Sequence, residues 1–318
     1  MSGAILLMGP TGAGKTDAAI ALAEHLPVEL VSVDSAMVYR GLNIGSAKPG
    51  ADLLARVPHH LIDICDPSEP YSVGGFLKDA ERVMGEVRRR GRVPLLVGGT
   101  MLYFRALQTG LAELPSADPA VRARLEARAR TVGWPALHAE LAVIDPGAAA
   151  RIRPADGQRI QRALEVYELT GRPLSDLQRE GRRAAEPGRY LSLVLAPAER
   201  TALDADLARR FDAMLDAGLL AEVDALFRRG DLDPALPAIR AVGYRQLWRH
   251  LAGECDLATA RLDAIRATRQ LAKRQYTWLR AEPAARWIEA RRPETADVLR
   301  AACDEWLATS RGPATSLC

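Results

Sequence analysis

Cysteine is scarce in this chain. The four present, Cys65, Cys255, Cys303 and Cys318, stand singly at irregular intervals, so neither a zinc site nor a disulfide framework is written into the sequence, and reduced thiols are expected. No stretch approaches the roughly eighteen consecutive apolar residues that span a bilayer. The N-terminus runs almost at once into a strand-like segment rather than a basic segment with a cleavable apolar stretch, so a cytoplasmic protein without membrane contact is expected. A surplus of either charge is also missing: 43 Lys and Arg against 40 Asp and Glu leave +3, too little to announce a nucleic acid unless the charges cluster. Repeats and low-complexity tracts are absent, and only the tail 310–318 reads as disordered. What is there, 48% hydrophobic and 26% charged over 318 residues, suffices for two compact units or one large domain with an insertion.

The most specific local signal is Gly9-Pro10-Thr11-Gly12-Ala13-Gly14-Lys15-Thr16. It follows the apolar run Ala4 to Met8 and precedes a helix-like stretch from Asp17 to Leu26. Strand, glycine turn and helix together aim backbone N–H groups at an oligophosphate, while Lys15 supplies a point charge and the Thr16 hydroxyl can ligate Mg2+. This loop grips phosphates. It leaves open whether they are hydrolysed, transferred or discarded.

Two further apolar runs read as buried parallel strands: Val28 to Val33, ending at Asp34-Ser35, and Val93 to Val97, ending at Gly98-Gly99-Thr100. Ligands of doubly wound sheets bind outside the strand carboxyl ends, so Asp34, Ser35 and Thr100 are expected around the mouth of the phosphate loop. Between the strands Ser72 to Arg90 reads as a helix, with Ser72 as its cap and Gly91 as its close. From about Ser116 strands disappear and prolines punctuate short helices, which predicts an inserted all-helical domain over 116–189 between core segments 1–115 and 190–318. Residues 116–190 hold 13 Arg, no Lys and 10 acidic residues, a net +3. A strand-like run, Tyr190 to Leu195, rejoins the core and stops at Pro197. The rest reads as helices, chiefly Leu203 to Ala217, Leu219 to Arg229 and Ala258 to Arg280. In the last, Arg266, Arg269, Lys273 and Arg280 form one stripe and Leu262, Ile265, Ala272, Tyr276 and Leu279 another.

An NTPase usually places a second acid at a strand end to hold Mg2+. The strand Val93 to Val97 ends in Gly98-Gly99-Thr100 instead, and Asp34 is the acid that remains. As a general base Asp34 could deprotonate a substrate hydroxyl, giving a kinase of a small metabolite, or an amine attacking a carbon that bears a diphosphate, giving a transferase. A nucleotide-dependent RNA-binding switch is the third reading. The adjacent His59 and His60, on an extended segment, point to opposite faces and read as structural.

Several motifs in order carry a family resemblance: Gly9 to Thr16, Val33-Asp34-Ser35-Ala36-Met37-Val38-Tyr39-Arg40-Gly41, Ile44-Gly45-Ser46-Ala47-Lys48-Pro49, His59-His60-Leu61-Ile62-Asp63, Gly98-Gly99-Thr100-Met101-Leu102-Tyr103, Gln158-Arg159-Ile160-Gln161-Arg162, Arg240-Ala241-Val242-Gly243-Tyr244-Arg245-Gln246 and Thr268-Arg269-Gln270-Leu271-Ala272-Lys273-Arg274-Gln275. With these the chain resembles bacterial tRNA dimethylallyltransferases over nearly its whole length. The resemblance implies transfer of a dimethylallyl group from dimethylallyl diphosphate to N6 of the adenine immediately 3′ of the anticodon, in tRNAs that read codons beginning with U. It implies an α/β fold, a P-loop nucleotide-kinase-like parallel sheet core with an inserted all-helical domain, and an anticodon stem-loop clasped between the two. The departures are small: Ser46 replaces a common Thr, Gly12-Ala13 stands where Ala-Ser is usual, and the C-terminal zinc finger of eukaryotic relatives is absent.

An exocyclic adenine amine is a poor nucleophile because its lone pair is delocalised into the ring, which makes Asp34 the candidate base. The departing diphosphate needs the backbone N–H groups of Gly12 to Thr16, Lys15, and Mg2+ on Thr16. By resemblance Thr100 orients the reacting groups and Arg210 reaches the diphosphate. The adenine has to leave the anticodon-loop stack. Asp34, Ser35, Ala36 and Met37 are expected to line its channel, with Arg122, Gln158 to Arg162, Arg240 to Arg245, Lys273 and Arg274 on the RNA. A monomer is expected.

Overall fold

The phosphate loop leaves the central part of a six-stranded parallel sheet ordered β3-β2-β4-β1-β5-β6. In this computed structural model, which describes residues 3–181, 189–199, 203–282 and 284–310, β1 (Ala4–Met8), α1 (Lys15–His25), β2 (Val28–Val33), α2 (Ala51–Arg56), β3 (His59–His60), α3 (Val73–Arg89), β4 (Val93–Gly98) and α4 (Met101–Thr109) come first. Five helices follow: α5 (Pro119–Val132), α6 (Trp134–Ile144), α7 (Pro146–Ala149), α8 (Gly157–Thr170) and α9 (Leu174–Glu180). The chain then returns through β5 (Tyr190–Ala196) to α10 (Asp204–Asp216), α11 (Leu219–Phe227), α12 (Tyr244–Leu251), α13 (Leu257–Leu279), β6 (Arg286–Glu289) and α14 (Thr295–Ser310). The expected disordered tail falls, apart from Ser310, outside the described residues.

β1 and most of β2 and β4 are buried, which is why they are rich in apolar residues instead of alternating strictly; Glu29 and Ser32 are the polar interruptions in β2. β1 sits between β4 and β5, and the chain crosses from β1 to β2 over β4. The carboxyl ends of β1, β2 and β4 therefore open onto one crevice. Ile5, Leu7, Leu30 and Leu95 form a core with Leu299 and Leu307 of α14, while Tyr39, Leu42, Tyr244 and Ile265 belong to a second core made with α10 to α13.

The chain divides into two compact units, Met1–Arg105 with Glu186–Cys318, and Ala106–Ala185. The division falls inside α4, ahead of the compositional change at Ser116. Within the second unit Leu125, Leu141, Ile160 and Leu164 are fully buried or nearly so. Asp118 starts α5 by accepting from the N–H groups of Ala120 (2.8 Å) and Val121 (2.9 Å), with Pro119 in the first turn, where its missing N–H costs nothing. Glu165, fully buried, accepts from Arg122 (2.9 and 3.2 Å), Arg162 (2.7 Å) and the Asp118 N–H (2.9 Å). Burial acts to raise its pKa, and these hydrogen bonds outweigh it, so the carboxyl lies below its usual range.

Two strands escape the sequence pattern. β3 is only two residues long, and β6 buries Ile288 alone among four. The apolar stripe assigned to α13 also needs correction: Leu262 is exposed, and the buried face runs through Ala260, Ala264, Ile265, Ala272, Gln275, Tyr276 and Leu279. Ile265, Ala272, Tyr276 and Leu279 stand on that face as expected, and Ala260, Ala264 and Gln275 complete it in place of Leu262.

Gly98 opposes Val33 in the β2–β4 register, and a Cβ at 98 would lie 2.0 Å from the Val33 carbonyl oxygen. Gly85, inside α3, has nothing near its own would-be Cβ. Gly98→Ala is therefore expected to destabilise by about 1–3 kcal/mol. Gly85→Ala is expected to stabilise by roughly 0.5–1 kcal/mol through helix propensity. Denaturant midpoints of the two variants measured side by side check the opposite signs.

Candidate active site

Gly12 and Gly14 both take left-handed backbone conformations, φ +79° and +81°, which side chains other than glycine rarely adopt. They fold residues 9–14 into a tight loop, closed by an Ala13 N–H bond to the Pro10 carbonyl (3.3 Å), that delivers Lys15 and Thr16 into the first turn of α1. Helix amides and dipole then face the crevice. Lys15 Nζ folds back to donate to the Pro10 carbonyl (2.7 Å). Burial pulls its pKa down to about 8; the Asp34 carboxylate opposes that shift, and the Arg210 cation adds to it. Arg210 projects from α10 into the same crevice, where desolvation lowers its pKa and the carboxylates of Asp34 and Asp17 act the other way. Its neighbour Arg209 is exposed and paired with Asp206. Of the two arginines, the structure brings Arg210 to the phosphate loop.

Asp34 closes β2. Its Oδ1 accepts from the N–H groups of Ala36 (2.8 Å) and Met37 (3.2 Å), which fixes the carboxylate and leaves Oδ2 without a hydrogen bond among the described residues. Thr100 follows β4: its N–H donates to the Val33 carbonyl (3.2 Å), and its Oγ1 accepts from the Ser35 N–H (3.1 Å). The hydroxyl thus holds the turn that carries Asp34. Together Thr11, Gly12, Lys15, Thr16, Asp34 and Arg210 help to line a crevice of about 420 Å³.

The opposite wall comes from Ser46, Ala47 and Pro49. Glu222 of α11 fixes that segment by accepting from the N–H groups of Asn43 (3.1 Å), Ile44 (2.8 Å) and Gly45 (3.2 Å), and from the Tyr244 hydroxyl (2.5 Å). The Lys48 ammonium, almost wholly buried, donates to the Tyr39 carbonyl (2.9 Å), Asn43 Oδ1 (2.9 Å) and Asp63 Oδ1 (2.5 Å). Its three protons are satisfied, as a buried cation requires. Ser46 hydroxyl donates to the Leu42 carbonyl at 2.6 Å.

The residues expected on RNA divide into groups. Lys273 and Arg274 are exposed on α13, and neither pairs with a carboxylate among the described residues. Arg240 and Arg245 are exposed at the entry to α12, with Ala241 and Val242 half-buried between them. Tyr244 departs from the expectation: it is fully buried, and its hydroxyl serves Glu222 from inside the core. Gly243 is buried beside it. Ile160 likewise lies in the helical core, as the apolar position of an otherwise polar run. Gln158 and Arg159 open α8, and Gln161 donates to the Arg122 carbonyl (3.2 Å) and Glu126 (3.1 Å). Arg122 and Arg162 are held by Glu165, so each guanidinium has an ionic partner already in place.

Two residues that the sequence reading did not assign to the site border it. Gln275 touches the phosphate loop from α13: Oε1 accepts from the Thr11 N–H (2.9 Å) and Nε2 donates to the Gly99 carbonyl (2.9 Å). Its signal was a lone amide on the apolar face of a helix. His59, read as structural, lines the crevice. Its Nδ1 lies 2.7 Å from the Val57 carbonyl, which makes Nδ1 the protonated nitrogen, and Nε2 is buried without a partner among the described residues. Burial lowers its pKa and favours the neutral ring. His60 does behave structurally, bonding Glu29 at 2.9 Å.

This arrangement has close counterparts among known proteins. The family model described as IPP transferase matches residues 37–282, and that described as isopentenyl transferase matches residues 2–63. The chain is 59% identical over 296 residues to the tRNA dimethylallyltransferase of Thioalkalivibrio sulfidiphilus, covering 93% of this chain and 92% of that one. It is 60% identical over 281 residues to the tRNA dimethylallyltransferase of Bordetella petrii, covering 88% and 90%. Among solved structures it is similar to the tRNA isopentenylpyrophosphate transferase of Bacillus halodurans, with a TM-score of 0.69 and 35% identity over 98% of this chain and all of the other. Matched by the IPP transferase model over most of its length and by relatives of 59–60% identity, the chain belongs to the tRNA dimethylallyltransferase (IPP transferase) family.

Proposed function

We propose that this enzyme transfers the dimethylallyl group of dimethylallyl diphosphate to N6 of the adenine adjoining the anticodon on its 3′ side, in tRNAs that read codons beginning with U. The products are N6-dimethylallyladenosine and diphosphate. The observation that carries the reading is the pairing of a phosphate loop with one oriented carboxylate, Asp34, and with Gly98-Gly99-Thr100 in place of a second strand-end acid. Such a crevice holds an anionic leaving group beside a base.

The N6–C1 bond forms as the C1–O bond to diphosphate breaks, and the amine proton passes to the free Oδ2 of Asp34. The Ala36 and Met37 amides hold Oδ1, so the receiving oxygen is oriented before the substrate arrives. Lys15, Arg210 and the amides of Gly12 to Thr16 bind the diphosphate and meet its growing charge. Hydroxyl and carboxylate oxygens fit a hard cation that takes its remaining ligands from diphosphate and water: no cluster of three or more His, Cys, Asp or Glu occurs among the described residues. Thr16 is the residue that would hold Mg2+. When bound, the ion supplies charge neutralisation of the leaving group.

For the RNA, the exposed Lys273 and Arg274 on the first unit, and Arg159 with the Glu165-anchored Arg122 and Arg162 on the helical unit, offer phosphate contacts. The helical unit serves in this reading as an RNA-binding insertion. Every group needed for the chemistry comes from one chain, so the enzyme is taken to work as a monomer, in the cytoplasm where tRNA is used. No described helix is long and apolar enough to cross a membrane.

Incubation with an anticodon stem-loop, Mg2+ and dimethylallyl diphosphate should add one dimethylallyl group to one adenosine, read by mass analysis of the RNA. An intact stem-loop of unchanged mass would overturn the proposal. Asp34→Asn, which keeps the turn's acceptor but removes the base, is expected to lower kcat by roughly 10²- to 10⁴-fold with RNA affinity preserved; stopped-time product assays and filter binding check it. Lys15 gains a proton on binding once the pH exceeds its free value of about 8. Diphosphate raises the bound pKa, so donor affinity should be full below pH 8 and fall by up to about tenfold per pH unit above it. Titration calorimetry across pH 7–10 should show this break in wild type, and it should vanish in Lys15→Met. Arg274→Ala should weaken RNA binding and reduce the salt slope by about 1, leaving donor affinity alone, as measured by RNA binding across a salt series.

A further inference from the structure

The sheet brings the two halves of this chemistry to the ends of different strands. The diphosphate cradle follows β1, and the Asp34–Thr100 side follows β2 and β4. One side chain spans the joint. Gln275 is 7% exposed and sits between Ala272, Tyr276 and Leu279 on the inward face of α13. A buried primary amide is costly unless its donor and acceptor are both used. Both are: Oε1 takes the Thr11 N–H (2.9 Å) and Nε2 gives to the Gly99 carbonyl (2.9 Å). The partners leave no ambiguity of orientation, since a backbone N–H only donates and a carbonyl only accepts. Neither bond helps the helix that carries Gln275.

The next residue anchors the arm. Tyr276 hydroxyl donates to the Pro197 carbonyl (3.2 Å), just beyond β5. Adjacent residues of α13 thus hold the carboxyl-terminal edges of β1, β4 and β5 together. The fit at Gly99 is close: a Cβ there would lie 2.4 Å from Gln275 Nε2. The Thr11 N–H is spent on Gln275, which leaves the amides from Gly12 onward to face a diphosphate.

Building on the reading of the crevice as a diphosphate holder, we propose that Gln275 is a positioning residue that sets the phosphate loop against the Gly99-Thr100 turn and so fixes the distance between leaving group and base. Bond exchange needs both reacting partners within a fraction of an ångström of their attack geometry, and misplacement by about 1 Å costs on the order of 10² in rate. Lys273 and Arg274 lie one and two residues before Gln275 on the exposed face of the same helix.

The test compares Gln275→Met, which keeps the length and loses both bonds, with Gly99→Ala, which displaces the amide from the other side, and with the double variant. Measurements are the Kd of Mg2+–diphosphate by calorimetry, kcat at saturating substrates, and the Kd of the stem-loop RNA. The expected result is a Kd for diphosphate raised about tenfold and kcat lowered about 10²-fold in each single variant, with RNA affinity within about twofold. The double variant should be little worse than the poorer single, because both changes break one bridge. Unchanged diphosphate affinity and kcat, a loss confined to RNA affinity, or fully additive losses would each overturn the assignment. Gly99→Ala still reports if Gln275→Met does not fold. Wild type is assayed for prenyl transfer alongside: its failure there would remove the functional reading, while the diphosphate Kd values would still judge Gln275.

Discussion

Val33 and Gly98 face each other at the ends of two parallel strands, so closely that only glycine fits at 98. The rest of the site follows from that contact. The Thr100 N–H reaches the Val33 carbonyl, the Thr100 hydroxyl takes the Ser35 N–H, and the turn so fixed presents Asp34 with one oxygen held and the other open. A bulkier residue at 98 would force β2 and β4 apart and move the carboxylate away from the loop that follows β1. The same steric limit recurs at Gly9, where a Cβ would meet the Leu195 carbonyl oxygen at 2.2 Å. Strand ends packed to backbone contact leave room for a ligand and little for side chains.

Charge is arranged to be incomplete without substrate. Lys15 and Arg210 share the crevice with Asp34, and burial weakens the hold of Lys15 on its proton. In the proposed reading a diphosphate supplies the missing negative charge, and the growing charge of that leaving group is what the two cations and the loop amides stabilise most. A hydrolase would also need groups to position a water. In the proposed mechanism the carboxylate oxygen of Asp34 that makes no hydrogen bond among the described residues receives the proton of the incoming amine.

Much of this was legible in the sequence because the signals were local. β1 coincides with an uninterrupted apolar run and β2 with one broken only by Glu29 and Ser32, and Ser72 caps α3 at Gly75 as its position suggested. Asp34 could be placed because parallel strands direct their carboxyl ends to a common crevice, whereas Thr100 meets Ser35 in the adjoining turn. What escaped depended on long-range contacts. Gln275 lies more than 170 residues from both of its partners. Glu165, buried in the helical unit, holds Arg122 and Arg162 in ion pairs while both guanidinium groups stay partly exposed. Tyr244 and Ile160 looked like parts of polar recognition motifs, yet burial assigns them to cores. His59 and His60 are adjacent and chemically alike, and only the packing of β3 against β2 decides which one sees the crevice.

The central claim is that the phosphate loop holds a leaving group. Its most direct test is a single-turnover reaction of enzyme, Mg2+, anticodon stem-loop and dimethylallyl diphosphate, with prenylated RNA and released diphosphate counted in the same sample. The account predicts one diphosphate for each prenylated adenosine and no phosphoryl transfer when ATP replaces the donor. Diphosphate released without RNA modification, or a γ-phosphate moved from ATP to RNA or a small acceptor, would contradict it.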